Sequence, residues 1–217
     1  MIKYLLFDVA GTLLYKPMLL SRMEKVLSYF GHLIPLDELK FKHKLLSETF
    51  QFPDRTSSAF YKKFNTEFLY LLGVVPNQKL LNQLFDECSY LDWEKYEDTN
   101  LLNTIDLPMG IISNFNISLR EKINFFFGSM FCDFFVSEET SLSKPNIEFY
   151  NLALNTLNYK PSEILYIGDS FKLDFEPANS LGIQTLLIDR DNFYTNNSFT
   201  INNLKQIKPF INNINSK

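Results

Sequence analysis

The sequence contains few of the residues that build metal clusters or disulfide frameworks. Its 217 residues include only two cysteines and two histidines. Cys88 and Cys132 lie far apart and form no ligand-spaced cluster, so we expect both to be small buried residues of a protein in a reducing compartment. His32 and His43 are not at ligand spacing either, so surface or packing roles are expected for them.

The sequence also lacks an excess of positive charge and a long apolar run. The net charge of −4 provides no basic field for nucleic acid. No stretch approaches the length of a membrane span. Asp8 interrupts the apolar residues near Met1, and no small-residue cleavage site follows, which argues against a secretory signal. We therefore expect a cytoplasmic protein that binds neither nucleic acid nor membranes.

What the sequence does contain is enough apolar residues for a sizeable core, at 46% of the chain. Short apolar runs bounded by Gly, Pro, Asp or Asn predict buried strands at residues 3–7, 109–113, 133–136, 164–167 and 184–188. Helical patterns lie at residues 117–127, 147–157 and 175–181, and residues 199–211 are expected to pack as a final helix or turn. This alternation predicts a Rossmann-like α/β fold, a parallel sheet with helices on both faces.

A long segment after the first strand has a different pattern. It has no convincing strand, and helical patterns lie near residues 20–30, 36–50, 57–72 and 79–90. A single crossover helix needs far fewer residues. We therefore predict an all-helical cap domain over residues 17–91, inserted into an α/β core domain of residues 1–16 and 92–217.

Four short motifs coincide with the predicted strand ends. They are Phe7-Asp8-Val9-Ala10-Gly11-Thr12-Leu13, Ile112-Ser113-Asn114, Ser143-Lys144-Pro145, and Gly168-Asp169-Ser170 with Asp174 shortly after. Ligands bind at the carboxyl ends of the strands of a parallel sheet. Asp8 ends the first predicted strand, Ser113 the second and Asp169 the fourth, and Lys144 lies in the loop after the third. The sequence thus predicts one crevice that holds two carboxylates, a hydroxyl group and an ammonium group.

The four motifs, in this order and with a helical insertion after the first, resemble the haloacid dehalogenase-like hydrolase superfamily in its helical-cap branch. The resemblance covers essentially the whole chain. The runs of residues 110–116 and 166–170 are most similar to the Reg-2-like or domain-containing-protein-3-like group. The resemblance implies a Mg²⁺-dependent phosphatase that acts on a small phosphorylated metabolite, as a monomer or homodimer.

The resemblance also implies a role for each motif residue. Asp8 would be the nucleophile that forms an aspartyl-phosphate, with Lys144 and Ser113 as further catalytic groups. The phosphoryl group would be bound by Ser113, Asn114, Lys144, Gly11 and Thr12. Mg²⁺ would be held by Asp8, the main-chain carbonyl of Ala10, Asp169 and Asp174. Two structural alternatives stay open, because Ser113 can cap the following helix and Asp174 can be an outer or helix-capping acid.

One position departs from the family pattern. Family phosphatases carry an aspartate two residues after the nucleophile, where this chain has Ala10. That aspartate protonates the leaving alcohol and then activates water, whereas a methyl group cannot move a proton. Losing a general acid–base group typically costs about 10²–10⁴-fold in rate.

Ala10 leaves several reactions open. The chain can be a phosphatase that is slow, that acts on good leaving groups, or that recruits an acid from the cap. It can be a phosphonatase-like C–P hydrolase, which needs a Schiff-base lysine in the cap, or a catalytically weak protein that binds phosphate or a partner. Dehalogenases also lack the second aspartate, but they need no metal, and Asp169 and Asp174 argue against that reaction. The candidate Schiff-base lysines are Lys25, Lys40, Lys42, Lys44, Lys62 and Lys63, whose crowding with polar neighbours indicates a solvated face.

Overall fold

The structure is a computed structural model that describes residues 1–194 and 197–216. The chain forms two compact units. The first, here called the core unit, comprises Met1–Tyr15 and Lys95–Lys217, and the second, the helical unit, comprises Lys16–Glu94. Among the described residues, none of the helices combines the length and the apolar character needed to cross a membrane.

A six-stranded sheet, in which every strand pairs in parallel with its neighbours, forms the centre of the core unit. The strands of the chain are β1 (Tyr4–Phe7), β2 (Leu14–Tyr15), β3 (Glu94–Lys95), β4 (Met109–Ser113), β5 (Asp133–Val136), β6 (Ile164–Gly168), β7 (Gln184–Ile188) and β8 (Thr200–Ile201). The sheet order is β5-β4-β1-β6-β7-β8, and β2 pairs with β3 in a separate two-stranded sheet. The predicted parallel sheet is confirmed.

The position of β1 determines where a ligand can bind. The next two strands of the sheet, β4 and β5, lie on one side of β1, whereas β6, β7 and β8 lie on the other. The strand order therefore reverses at β1, and such a switch point opens a crevice at the carboxyl ends of the strands. Asp8 directly follows β1 and so lies at this point.

The helical unit contains four helices, α1 (Leu19–Tyr29), α2 (Leu36–Thr49), α3 (Ser58–Leu71) and α4 (Gln78–Cys88). Two of them begin at a side-chain cap, since Ser57 accepts the N–H of Phe60 and Asn77 accepts the N–H of Leu80. Their apolar faces meet in one buried cluster. The His43 ring packs against Phe64 and Phe68 at 5.0 and 5.6 Å between ring centres, in agreement with the packing role expected for it.

The helices of the core unit cover both faces of its sheet. They are α5 (Leu119–Phe127), α6 (Ser137–Thr140), α7 (Ile147–Leu157), α8 (Glu176–Ser180) and α9 (Ile207–Asn215), with 3₁₀ turns at Glu97–Thr104, Pro161–Glu163 and Leu204–Gln206. One face packs Tyr4 and Tyr166 against Phe149 of α7 and Ala178 of α8. On the other face, Phe7 meets Phe131 edge-on, and Phe131 in turn meets Phe127 of α5.

Several details differ from the sequence predictions, among them the strand β8 within residues 199–211, which were expected to form a helix or turn. The helix predicted at 175–181 is preceded by a π-helical turn at Phe171–Phe175, and its α-helical part is Glu176–Ser180. The wider turn arises because the N–H groups of Asp174 and Phe175 both donate to the Ser170 carbonyl. Cys88 is buried as expected, but the expectation for Cys132 is wrong. Cys132 is exposed because it precedes β5, the edge strand of the sheet.

Candidate active site

Three carboxylates meet at the carboxyl ends of β1 and β6. Asp8 and Asp169 directly follow these two strands, and Asp174 lies in the π-helical turn after β6. One carboxylate oxygen from each residue lies within 4.8 Å of the others. Asp8 and Asp174 are buried, and Asp169 is half-buried. The fold thus concentrates negative charge where the strand order reverses.

Lys144 provides the positive charge of the site. Its Nζ lies 2.6 Å from Asp8 Oδ1 and 2.6 Å from Asp174 Oδ1, and the side chain is 4% exposed. A buried ammonium group between two carboxylates is stabilised only when this geometry is maintained. Lys144 therefore fixes the orientation of Asp8.

Asn114 holds the main chain of Lys144. The Asn114 Oδ1 accepts the Lys144 N–H at 2.7 Å, and the Asn114 Nδ2 donates to the Lys144 carbonyl at 2.9 Å. The family resemblance predicts that Asn114 binds the phosphoryl group, and its side chain has this additional contact with the lysine loop. Ser113, the last residue of β4, is buried beside it.

Both carboxylate oxygens of Asp174 have protein partners. Oδ1 accepts the Tyr166 hydroxyl at 2.6 Å in addition to the Lys144 ammonium, and Oδ2 accepts the Ser170 N–H at 2.9 Å. The Tyr166 hydroxyl also lies 3.3 Å from Lys144 Nζ. Asp174 is therefore an orienting group for Lys144, whatever else it binds.

The turn after Asp8 uses several of its own amide groups. Gly11 N–H donates to the Leu14 carbonyl, and the N–H groups of Thr12 and Leu13 donate to the Val9 carbonyl. The Thr12 hydroxyl lies 3.5 Å from Asp8 Oδ2, at the limit of a hydrogen bond. Any phosphoryl contact of Gly11 or Thr12 therefore has to compete with, or add to, these bonds within the turn.

Two glycines allow the carboxylates to approach the main chain. Gly11 has a φ of +84°, and a Cβ there would lie 2.5 Å from Asp169 Oδ2. A Cβ on Gly168 would lie 2.5 Å from Asp174 Oδ2. Any other residue at either position would displace the carboxylates, and at Gly11 it would also strain the backbone.

Burial and charge shift the ionisation of the site. Burial raises the pKa of Asp8, Lys144 lowers it, and the carboxylates of Asp174 and Asp169 raise it again, to about 7. Burial lowers the pKa of Lys144, but Asp174 and Asp8 raise it more, so the net shift is upward. Burial, followed by the charge of Asp174, raises the pKa of Tyr166 well above its ordinary value. The ammonium and the tyrosine hydroxyl are thus held in their protonated forms near neutral pH.

The site fits a hard divalent cation in its donor chemistry. When all three carboxylates are ionised, the single ammonium group leaves two negative charges uncompensated. Carboxylate and carbonyl oxygens are the donors that Mg²⁺ prefers. Asp8, Asp169 and Asp174 each present a carboxylate oxygen within 4.8 Å of the others, and Ala10 follows Asp8 by two residues.

Ala10 provides no side-chain function to the site. The residue is exposed, and its main chain bridges to Leu14 within the turn. An aspartate at this position would therefore replace an exposed methyl group and not a packed one.

Two of the candidate Schiff-base lysines of the helical unit form ion pairs within α2. Lys42 and Lys44 pair with Glu38 and Glu48, four residues before and after them on α2. Both amines are therefore engaged by carboxylates of their own helix.

Sequence reasoning did not single out Tyr166, Arg190 or Asp98. Arg190 forms a two-pronged ion pair with Asp98 at 2.7 and 3.0 Å and also donates to the Thr12 carbonyl at 2.9 Å. These residues lie far apart in sequence and follow no local pattern, so only the fold brings them together. Tyr166 carried a weak signal, as a polar hydroxyl within a strand buried on both faces.

A sequence profile of the haloacid dehalogenase-like hydrolase family matches residues 99–188. A glyceraldehyde 3-phosphate phosphatase from Methanocaldococcus jannaschii is 31% identical over 122 residues, which cover 52% of this chain and 53% of the relative. A haloacid dehalogenase-like hydrolase domain-containing protein 3 from Danio rerio is 29% identical over 118 residues, which cover 52% of this chain and 49% of the relative. The chain thus spans about half the length of these curated relatives.

The fold extends the similarity over nearly the whole chain. The structure of a hydrolase from Bacillus subtilis, bound to magnesium, superimposes with a TM-score of 0.66 at 20% identity, over 97% of this chain and 99% of that one. At this level of sequence identity, the similarity is evidence for the fold alone. The family profile over residues 99–188, the curated relatives and the shared fold agree with the ordered motifs, and the chain is similar to haloacid dehalogenase-like hydrolases in both sequence and fold.

Proposed function

We propose that this chain is a Mg²⁺-dependent phosphatase that uses Asp8 as its nucleophile. The observation that supports the proposal most is the environment of Asp8. Its carboxylate lies at the switch point of the sheet, 2.6 Å from a buried ammonium group and within 4.8 Å of two further acidic residues. An isolated structural aspartate has no need of such surroundings.

Each side chain of the site has a task in this reaction. An Asp8 oxygen attacks phosphorus, the bond from phosphorus to the leaving oxygen breaks, and an aspartyl-phosphate results. Lys144 holds Asp8 in line and offsets negative charge, while Asn114 and Tyr166 keep Lys144 in place. Ser113, Asn114, Gly11 and Thr12 are the proposed donors to the phosphoryl oxygens, where charge develops in the transition state.

Asp8, Asp169 and the Ala10 carbonyl would hold Mg²⁺, with Asp174 as a direct or water-mediated partner. When bound, the ion neutralises the phosphoryl oxygens and offsets their repulsion by Asp8. Asp174 already accepts three hydrogen bonds, which favours the water-mediated arrangement.

The names of the relatives support a proposal for the substrate class. Their names include glyceraldehyde 3-phosphate phosphatase and ribulose-1,5-bisphosphate 5-phosphatase. We therefore propose a small phosphorylated metabolite as substrate, with the helical unit as the cap that selects it. The cytoplasmic location, the monomeric or dimeric state and the finer placement in the domain-containing-protein-3-like group stay predictions.

The test is the release of phosphate from an aryl phosphate, which supplies a leaving group that needs little protonation. We expect turnover with Mg²⁺ and its loss in a chelator. Asp8→Asn should abolish turnover, whereas Asp106→Asn, at an exposed position of the core unit, should leave it unchanged. Turnover that survives Asp8→Asn would contradict the proposal.

A second candidate, a phosphate-binding protein without turnover, is favoured by Ala10 alone. It predicts that the wild-type protein binds tungstate, an analogue of phosphate, in calorimetry but releases no phosphate from any aryl phosphate. Tungstate binding together with turnover would remove it.

A further inference from the structure

Arg190 lies two residues beyond the end of β7, and its guanidinium group contacts three residues in two other segments of the core unit. Its two terminal nitrogens bind both oxygens of Asp98, at 2.7 and 3.0 Å. Nη2 also donates to the Thr12 carbonyl at 2.9 Å. The face of the guanidinium group lies 3.7 Å from the centre of the Tyr96 ring. The group is thus fixed in position and direction.

Asp98 is held just as firmly. Its side chain is 4% exposed, and Oδ2 accepts the N–H of Leu204 at 2.9 Å in addition to the arginine. The pair is therefore a rigid support formed by segments near residues 98, 190 and 204.

The contact of Arg190 with Thr12 connects this support to the nucleophile. Thr12 is fully buried, and its hydroxyl lies 3.5 Å from Asp8 Oδ2. The preceding residue, Gly11, is the one whose missing side chain leaves room for Asp169. A rotation of the peptide group after Thr12 would therefore disturb the turn that links Asp8 to Asp169.

We propose that Arg190, supported by Asp98, is a positioning residue that sets the orientation of the turn after Asp8. Its contact with the turn is the hydrogen bond to the Thr12 carbonyl, and it acts through that bond. The inference rests on the proposed function for its effect on catalysis, but the ordering of the turn is measurable without catalysis.

If the Arg190–Asp98 ion pair only stabilises the fold, a different outcome is expected. Buried ion pairs contribute little net stability compared with well-packed alternatives, and their loss acts on the fold as a whole. A positioning role instead acts locally, on the turn at residues 9–14 and on kcat.

The test is Arg190→Lys, since lysine keeps the charge but cannot form the two-pronged pair and also reach the Thr12 carbonyl. We expect hydrogen exchange of the Leu13 amide to accelerate about tenfold, because one charge-assisted bond that fixes the turn is lost. With an aryl phosphate and Mg²⁺, kcat should fall about tenfold with KM nearly unchanged, as for a misplaced reacting group.

Arg120→Lys is the matched control, because Arg120 is half-exposed and its ion pair with Glu139, at 3.7 Å, lies outside this network. It should alter neither measurement.

Asp98→Asn is the second variant if Arg190→Lys fails to fold, and it should accelerate exchange of the same amide. If exchange at Leu13 stays at the wild-type rate in a folded variant, the positioning role is overturned, whatever happens to activity. If the wild-type protein itself shows no turnover, the proposed function fails, and exchange alone decides the role of Arg190.

Discussion

At the scale of single residues, Ala10 determines which step limits the proposed reaction. Asp8 has the surroundings of a nucleophile, with Lys144 at 2.6 Å, but position 10 carries no group that moves a proton. Attack on phosphorus therefore has its machinery, whereas protonation of the leaving group and activation of water do not. A phosphorylated Asp8 is expected to form with good leaving groups and to persist.

Restoring the missing acid should raise the rate. We expect Ala10→Asp to increase kcat for an alkyl phosphate by at least about tenfold, toward the 10²–10⁴-fold typical of a general acid–base group. The residue is exposed, so the new side chain should fit at little cost in stability. Steady-state kinetics with alkyl and aryl phosphates measure the change.

The aryl phosphate separates the two tasks of the aspartate, because its leaving group needs little acid, so a gain of Ala10→Asp on this substrate reports faster hydrolysis of the phosphorylated Asp8. A variant that folds normally but shows no gain on either substrate would mean that position 10 does not limit the reaction.

Tyr166 is the second residue-scale test. Tyr166→Phe removes the hydroxyl that bonds Asp174 at 2.6 Å and lies 3.3 Å from Lys144. We expect a loss of about 1–3 kcal/mol in the free energy of unfolding, as for a buried bond to a charged group, measured by urea denaturation. We also expect kcat to fall, because Lys144 loses a contact that holds it.

Tyr4→Phe is the matched control for Tyr166→Phe. The Tyr4 hydroxyl bonds Asp133 at the same distance of 2.6 Å, but at the amino end of β1, away from the active site. It should lose stability to a comparable degree and keep its kcat. Equal effects of both variants on kcat would assign Tyr166 a purely structural role.

The sequence predicts which residues form the active site, but it does not predict which of them form hydrogen bonds with one another. Asp8, Lys144, Asp169 and Asp174 stand in ordered motifs, so their convergence follows from the topology of a parallel sheet. The topology does not predict that both carboxylate oxygens of Asp174 accept hydrogen bonds from the protein, because Tyr166 and Lys144 approach Asp174 from other segments.

At the scale of elements, the packing of α2 on α3 creates a pH-sensitive point in the helical unit. His43 of α2 lies against two aromatic rings of α3. Burial, together with the positive charges of Arg55, Lys44 and Lys16, lowers the pKa of His43 to about 4. The folded unit therefore holds this imidazole in its neutral form.

The stability of the wild-type protein should fall as the pH falls from about 6.5 to about 4, the interval between the unfolded and folded pKa values of His43. In this window the unfolded chain binds the proton more readily than the folded chain, so acid favours unfolding. We expect His43 to contribute about 1–3 kcal/mol to the loss, toward the lower end because its side chain is only half-buried.

Urea denaturation at several pH values checks this effect, with His43→Leu and His43→Gln compared with wild type. Both variants remove the titrating group, but only leucine preserves an apolar surface, so a shallower pH slope in both isolates the titration from the packing. Unchanged slopes in both variants would contradict the account.

Regular elements with a strong local pattern were well predicted. The strands β4, β5 and β7 begin and end at the predicted residues, because short apolar runs between turn-forming residues leave little alternative. The two-residue strand β8 was missed, since Thr200 and Ile201 pair only because β7 offers an open edge. The π-helical turn depends on a shared acceptor at Ser170, which no periodicity reveals.

At the scale of the whole molecule, the negative net charge of the chain explains why groups at the site itself have to supply the positive charge. The chain carries a net charge of −4, which repels a phosphorylated substrate. Lys144 and the proposed Mg²⁺ supply positive charge at the switch point of the sheet. The fold places Lys144 at Asp8, and the central claim is that Asp8 becomes phosphorylated there.

The most direct test of that claim is a search for the phosphoryl group on the chain itself. The protein is mixed with an aryl phosphate and Mg²⁺, quenched in acid within the first turnover, digested and analysed by mass spectrometry. We expect one added phosphoryl group on the peptide that contains Asp8, in a large share of the molecules because Ala10 cannot speed its hydrolysis. The adduct should be absent from Asp8→Asn. Phosphate release without a phosphorylated Asp8, or with the group on another residue, would contradict the account.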